Sequence, residues 1–212
     1  MALDFSAHPA AALSAIAYPD RGSSPSESSR LLVMLHGWGA DARDLADLAP
    51  MLNLPNYQWR FVNAPFAHPQ IPGGRAWYDL ENQNFEGLAQ AKQSLRAYLL
   101  GLGPETGIPL ARTVLGGFSQ GGAMALDVGL TLPLAKIFSL SGYLHFQPET
   151  QPSITPPILL IHGSADLVVP VAMAQQTRAE LERIGATVEY QEFPMGHEIP
   201  PMVLARLKAF LS

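Results

Sequence analysis

Residues 113–123 read Thr-Val-Leu-Gly-Gly-Phe-Ser-Gln-Gly-Gly-Ala. An apolar, strand-like run, Thr113–Gly117, stops at Ser119, and a helical stretch rich in Gly and Ala, Gln120–Leu130, follows. Gly117-Phe118-Ser119-Gln120-Gly121 fits G-x-S-x-G, the pattern of a sharp strand-to-helix turn that lifts a serine hydroxyl clear of the backbone. Only residues with almost no side chain let the two arms of such a turn approach, a need that Gly117 and Gly121 meet and Gly116 and Gly122 extend. The helix beginning near Gln120 aims its free N–H groups and dipole at the serine, where negative charge develops in acyl transfer.

Working outward, strand-like and helical runs alternate. Leu31–Leu35, Gln58–Val62, Lys136–Leu140, Ile158–Ile161 and Thr187–Phe193 read as strands. Asp41–Leu52, Phe85–Leu100, Val171–Ile184 and Pro201–Leu211 read as helices, and Gly101–Pro109 as a Gly/Pro loop. Leu13–Tyr18 is expected as an N-terminal edge strand, with the Ser-rich Gly22–Ser29 as a hairpin loop after it. Such alternation implies βαβ units, hence an α/β fold with a mostly parallel sheet covered by helices on both faces. There is no internal repeat, the Pro-rich linker Gln147–Pro157 is too short to separate domains, and residues 1–212 are expected to form a single domain.

A serine hydroxyl needs a base, and the base an orienting carboxylate. Where the serine stands at such an elbow, the chain order is Ser, Asp or Glu, then His. His145, His162 and His197 follow Ser119, but only His197 lies just past the last strand, where the base belongs. Asp166 sits in a tight turn after the preceding strand. Asp127 competes as the acid, yet it lies inside the helix after Ser119 and is expected to face solvent or a neighbour. For the oxyanion, the candidate donors are the backbone N–H of Gln120, the residue after the serine, and that of Trp38 in His36-Gly37-Trp38-Gly39, after the first buried strand. His36 precedes the serine and is expected to be structural. Residues 66–84 form a long connection in which Phe66, Ile71 and Trp77, with Trp38 and Met195, are expected to shape an apolar substrate pocket, while Asp79 braces the loop.

Composition removes other classes. The chain has 212 residues, 48% hydrophobic and 15% charged, with 13 basic and 18 acidic side chains and a net charge of −5. Nucleic acid is not an expected partner, because phosphate binding needs a basic patch. The chain has no cysteine, which excludes disulfides, thiolate metal sites and a cysteine nucleophile and fits a reducing, cytoplasmic location. Apolar runs are strand-sized, far short of the ~20 residues of a membrane span, so no stable membrane insertion is expected. Asp4 precedes the apolar Ala10–Ala17 and no Lys or Arg comes before Arg21, so a secretory signal is not expected either. The histidines are scattered, and neither a metal nor a cofactor is expected.

Taken together, these segments resemble the acyl-protein thioesterase family, also called the phospholipase/carboxylesterase family of small α/β-hydrolases. The resemblance rests on Leu35-His36-Gly37-Trp38-Gly39, Asn63-Ala64-Pro65, Gly73-Gly74-Arg75-Ala76-Trp77-Tyr78-Asp79, the Gly116–Gly122 run, His162-Gly163-Ser164-Ala165-Asp166 with Val169-Pro170, and Gly196-His197. It implies an α/β-hydrolase fold without a large cap domain and a catalytic triad of Ser119, Asp166 and His197. It also implies an oxyanion hole of the Trp38 and Gln120 N–H groups. The activity implied is hydrolysis of carboxylic esters by way of an acyl-enzyme intermediate, with thioesters of acylated proteins or lysophospholipids as alternative substrates and a non-catalytic ligand-binding protein as a remote one. Trp38, where many members carry Leu, adds bulk that favours short- to medium-chain acyl groups. A homodimer through an apolar face near the pocket is compatible with the sequence.

Overall fold

Seven strands form one sheet in the order β1 (Ala15–Tyr18), β3 (Tyr57–Val62), β2 (Arg30–Leu35), β6 (Thr113–Phe118), β7 (Lys136–Leu140), β8 (Ile158–Gly163) and β9 (Val188–Phe193). The computed structural model describes residues 13–18, 26–81, 84–145 and 155–212. Every pairing is parallel except β1 on β3. The expected edge strand is therefore present, but it pairs with β3 and not with β2, so β1 and β2 form no hairpin. Residues 10–12, 22–25 and 147–154 of the apolar, Ser-rich and Pro-rich stretches lie outside the described residues.

Side chains alternate across a strand, and here they feed two apolar layers. Leu31, Val33 and Leu35 of β2 join one layer, which contains residues of α2 (Leu88–Thr106), α3 (Gln120–Gly129) and α4 (Val171–Arg183). Leu32 and Met34 join the other, with α1 (Leu48–Leu52) and α5 (Pro201–Leu211). Burial on both faces explains why the central strands read as unbroken apolar runs rather than as an alternation.

Two helices depart from their sequence-based bounds. The Leu45, Leu48 and Leu52 face is buried as expected, yet regular helix begins only at Leu48. Upstream, Asp44, Ala46, Leu48 and Ala49 donate to carbonyls three residues back, the tighter 3-10 spacing. Asp41 Oδ1 also takes the Arg43 N–H at 2.7 Å. The second helix does not stop at Leu100. It runs through Gly101, Gly103 and Pro104 to Thr106, and Gly107 at φ 71° closes it. Buried Leu99 and Leu102 hold this last stretch against the sheet, and packing overrides the local cost of Gly and Pro. At its start, Phe85 and Gly87 both adopt positive φ, which delays the helix to Leu88.

The strand order reverses between β2 and its two neighbours, β3 and β6. In open parallel sheets, the crevice beyond the strand ends at such a reversal is where ligands bind. Among the described residues, no separate cap domain covers that end; the 66–76 segment adds only a small hairpin of β4 (Phe66–Ala67) and β5 (Arg75–Ala76). No helix among the described residues is long and apolar enough to cross a membrane.

Candidate active site

The serine turn is set by its backbone. Strand β6 ends at Phe118, Ser119 adopts φ 54° and ψ −119°, and α3 starts at the next residue. Positive φ is costly for a residue with a Cβ, so the surroundings must hold it. The Ser119 N–H donates to Leu140 O at 2.8 Å. A Cβ on Gly117 would run into the backbone of Gly121 and Gly122, and one on Gly121 into the carbonyls of Leu35 and His36. The elbow is thus locked against the end of β2. Gly121→Ala is expected to cost at least about 1–3 kcal/mol, because backbone atoms cannot swing aside. Urea melts would read this, and a variant as stable as the wild type would mean that the turn has slack.

Asp166 follows β8 and is buried. Its Oδ1 accepts the N–H groups of Val168 and Val169, both at 2.9 Å. Its Oδ2 lies 2.7 Å from His197 Nδ1, in the loop after β9. Burial alone would push this carboxyl up, but the hydrogen bonds from His197, Val169 and Val168 outweigh it and hold the pKa below the ordinary value. A carboxylate on Nδ1 fixes the proton there and leaves Nε2 as the acceptor. His162 is a neighbour of this pair: its Nε2 bonds to Val169 O at 2.8 Å and lies 3.5 Å from Asp166 Oδ2, so it supports the Asp166 turn.

Ser119 and His197 line one cavity of about 480 Å³ together with Gly37, Trp38, Ala40, Asp44, Leu80, Phe85, Phe118, Gln120, Tyr143, Val168, Val169 and Met173. The Phe118 ring lies 4.7 Å from the His197 ring. Gln120 N–H belongs to the first helical residue, which has no partner inside the helix. Among the described residues, no backbone carbonyl takes up the Trp38 N–H. Both amides belong to residues of the cavity wall.

Of the expected pocket residues, only Trp38 lines this cavity. Phe66 is on β4, partly buried against the α2 layer. Ile71 is 47% exposed and lies over Gly39 instead. Trp77 is fully buried, its indole N–H donating to His36 O at 3.0 Å. Met195 is buried in the opposite, α5 layer. Trp77 and Tyr78 turn inward on the helix α2 side of the sheet, where core burial claims them. The wall comes instead from Leu80 and Phe85, the loop after β7 (Tyr143), the turn after Asp166 (Val168, Val169) and the start of α4 (Met173). Strand-end position was the signal available for the last three of these. Phe118 could have been read from the motif itself.

Supporting roles follow from the same geometry. The Gln120 side chain accepts from Trp77 N–H and donates to Tyr78 O, both at 2.9 Å, tying the long connection to the serine turn. Asp79 Oδ1 accepts Glu81 N–H at 2.7 Å and so braces its loop. His36 is buried and neutral: Nδ1 bonds Gly37 O at 2.8 Å, Nε2 accepts Ala64 N–H at 3.0 Å, and burial lowers its pKa. Asp127 faces a neighbour, with Oδ2 at 2.9 Å from His145 Nδ1 and 3.1 Å from Lys92 Nζ.

An open, mainly parallel sheet that carries a serine elbow at one strand end, an aspartate two strands over and a histidine three strands over defines a hydrolase of the α/β-hydrolase fold. Residues 22–212 match the phospholipase/carboxylesterase family, and the chain belongs to it. It is 28% identical to lysophospholipase-like protein 1 of Mus musculus over 95% of this chain and 94% of that protein. A stretch of 118 residues is 39% identical to acyl-protein thioesterase 1 of Neurospora crassa, covering 51% of this chain and 48% of that one. Among solved structures, esterase PE8 superposes with a TM-score of 0.85 at 33% identity, over 95% of this chain and 98% of that one.

Proposed function

We propose that residues 1–212 form one serine carboxylester hydrolase domain that cleaves short- to medium-chain acyl esters. Ser119 attacks the ester carbonyl as His197 Nε2 takes its proton. The oxyanion rests on the Trp38 and Gln120 N–H groups. His197 then protonates the leaving alcohol, and water repeats the cycle to free the acid and regenerate Ser119. Asp166 keeps the proton on Nδ1 and stabilises the imidazolium. The observation that carries this reading is the 2.7 Å Asp166–His197 contact beside a largely apolar cavity that holds both His197 and Ser119.

Trp38 on the cavity wall supports the limit on chain length. The test is a p-nitrophenyl ester series from acetyl to palmitoyl, with a palmitoyl thioester alongside. Rates should peak at short to medium chains and fall beyond. A steady climb through palmitoyl would overturn the chain-length assignment, and a thioester rate above every ester would favour the second reading, thioesterase or lysophospholipase, which the names of the relatives support. A cytoplasmic location belongs to this proposal on the cysteine-free composition. A homodimer does so on Leu167 and Val168, 96% and 67% exposed beside the cavity; a monomeric mass by light scattering would refute it.

A further inference from the structure

The Trp38 peptide stands between two glycines, Gly37 and Gly39, the second at φ 79°. Such a segment has little stiffness of its own. A donor that stabilises a developing oxyanion works by being held in place beforehand. The stiffness must come from elsewhere, and residues 66–76 supply it. Gly39 N–H donates to Arg75 O at 2.9 Å, and Arg75 N–H to Ala40 O at 2.8 Å. Ile71 packs so closely over Gly39 that a Cβ there would meet its Cδ1 at 2.7 Å.

His68 is the centre of this brace. Its ring is buried and stands edge-on to Trp38, centroids 4.7 Å apart at 71°. Its Nδ1 accepts two backbone N–H groups, from Gln70 at 3.1 Å and Ile71 at 3.0 Å. A nitrogen that accepts twice carries no proton, so the ring is the Nε2–H tautomer. That double acceptance closes the turn that places Ile71 on Gly39. His68 N–H donates to Gly74 O at 2.7 Å, closing the same loop from its other end.

We propose that His68 is a positioning residue: its Nδ1 locks the 68–71 turn, and through Ile71 that turn sets the Trp38 peptide for the oxyanion. This rests on the hydrolase reading above, in which the Trp38 N–H is an oxyanion donor. The role is distinct from substrate contact, since His68 does not line the cavity beside Ser119.

The test compares wild type with His68→Asn, His68→Phe and His68→Ala on p-nitrophenyl butyrate, each checked by thermal melt. Asn offers an oxygen near the Nδ1 position, whereas Phe keeps a ring on Trp38 and accepts nothing. His68→Asn should keep kcat within about threefold, while Phe and Ala should lose about 10–100-fold in kcat with KM changed by less than about threefold. Phe and Ala near the wild-type kcat would overturn the proposal. So would a rise in KM at constant kcat, or His68→Asn falling as far as His68→Ala. The wild type supplies an arm that needs no variant to fold: ¹⁵N NMR of the histidine rings should find His68 protonated at Nε2 and bare at Nδ1 at neutral pH, and the opposite tautomer would refute the lock. Ser119→Ala run alongside separates the failures. Activity that survives it sinks the hydrolase reading, whereas Ser119-dependent activity indifferent to His68 sinks this one.

Discussion

Ser119→Ala should lose on the order of 10⁶ in kcat, the cost of removing the nucleophile from a serine triad, while the protein melts where the wild type does. The two halves of that expectation come from different atoms. The elbow depends on backbone: the Ser119 N–H to Leu140 O bond and the close approach of Gly117 to Gly121 and of Gly121 to β2 do not involve the hydroxyl. Alanine tolerates φ 54° no worse than serine does. Only the reacting oxygen is lost. Ester turnover and calorimetry on the same preparation check both halves, and residual activity within tenfold of wild type would sink the assignment of Ser119.

Asp166→Asn should cost about 10⁴ in kcat by a subtler route. An asparagine oxygen can keep both bonds from the Val168 and Val169 amides to Oδ1. Its NH₂ then faces His197 Nδ1 where Oδ2 stood at 2.7 Å. A donor facing that nitrogen forces the ring proton to Nε2, where the base must be empty. The geometry survives and the tautomer is wrong. Stability follows with a definite sign. The Asp166 pKa is depressed in the folded protein, so its stabilising effect is present above the unfolded value of about 3.9 and is lost as pH falls through the lower, folded value. The stability gap between wild type and Asp166→Asn should be widest at neutral pH and close in strong acid. Denaturant melts at the two extremes measure it, and a gap that ignores pH would mean that the aspartate gains nothing from its hydrogen bonds.

The elbow, the strand alternation and the Asp166 and His197 positions were legible because each depends on local chemistry: a glycine pair, an apolar run ending in a turn, a loop after a strand. The end of α2 was not. Gly101, Gly103 and Pro104 read locally as a break, and only the burial of Leu102 against the sheet carries the helix to Thr106. The pocket was the least legible part. Trp77 looks like a ligand-facing aromatic in sequence, yet the indole N–H finds the His36 carbonyl and the ring enters the core. Tyr143 and Met173 looked ordinary, because nothing in the neighbouring residues shows that β7 ends and α4 begins at the same crevice where β6 ends. Sheet order decides that, and long-range pairing leaves no local trace. The pairing of β1 with β3 escaped notice for the same reason.

Gly121 pressed onto the carbonyls of Leu35 and His36 also divides the crevice into two kinds of wall. On one side, the main chain that carries the reacting groups forms a single block, where added bulk at Gly117 or Gly121 disturbs the fold and the site together. On the other, Val168 and Met173 are 67% and 38% exposed and make no contact on which the elbow depends. Substrate preference can therefore drift, or be redesigned, by exchanging side chains on the outer wall while the reaction itself stays fixed. The fold keeps what must be conserved in its backbone and leaves selectivity to residues it can spare.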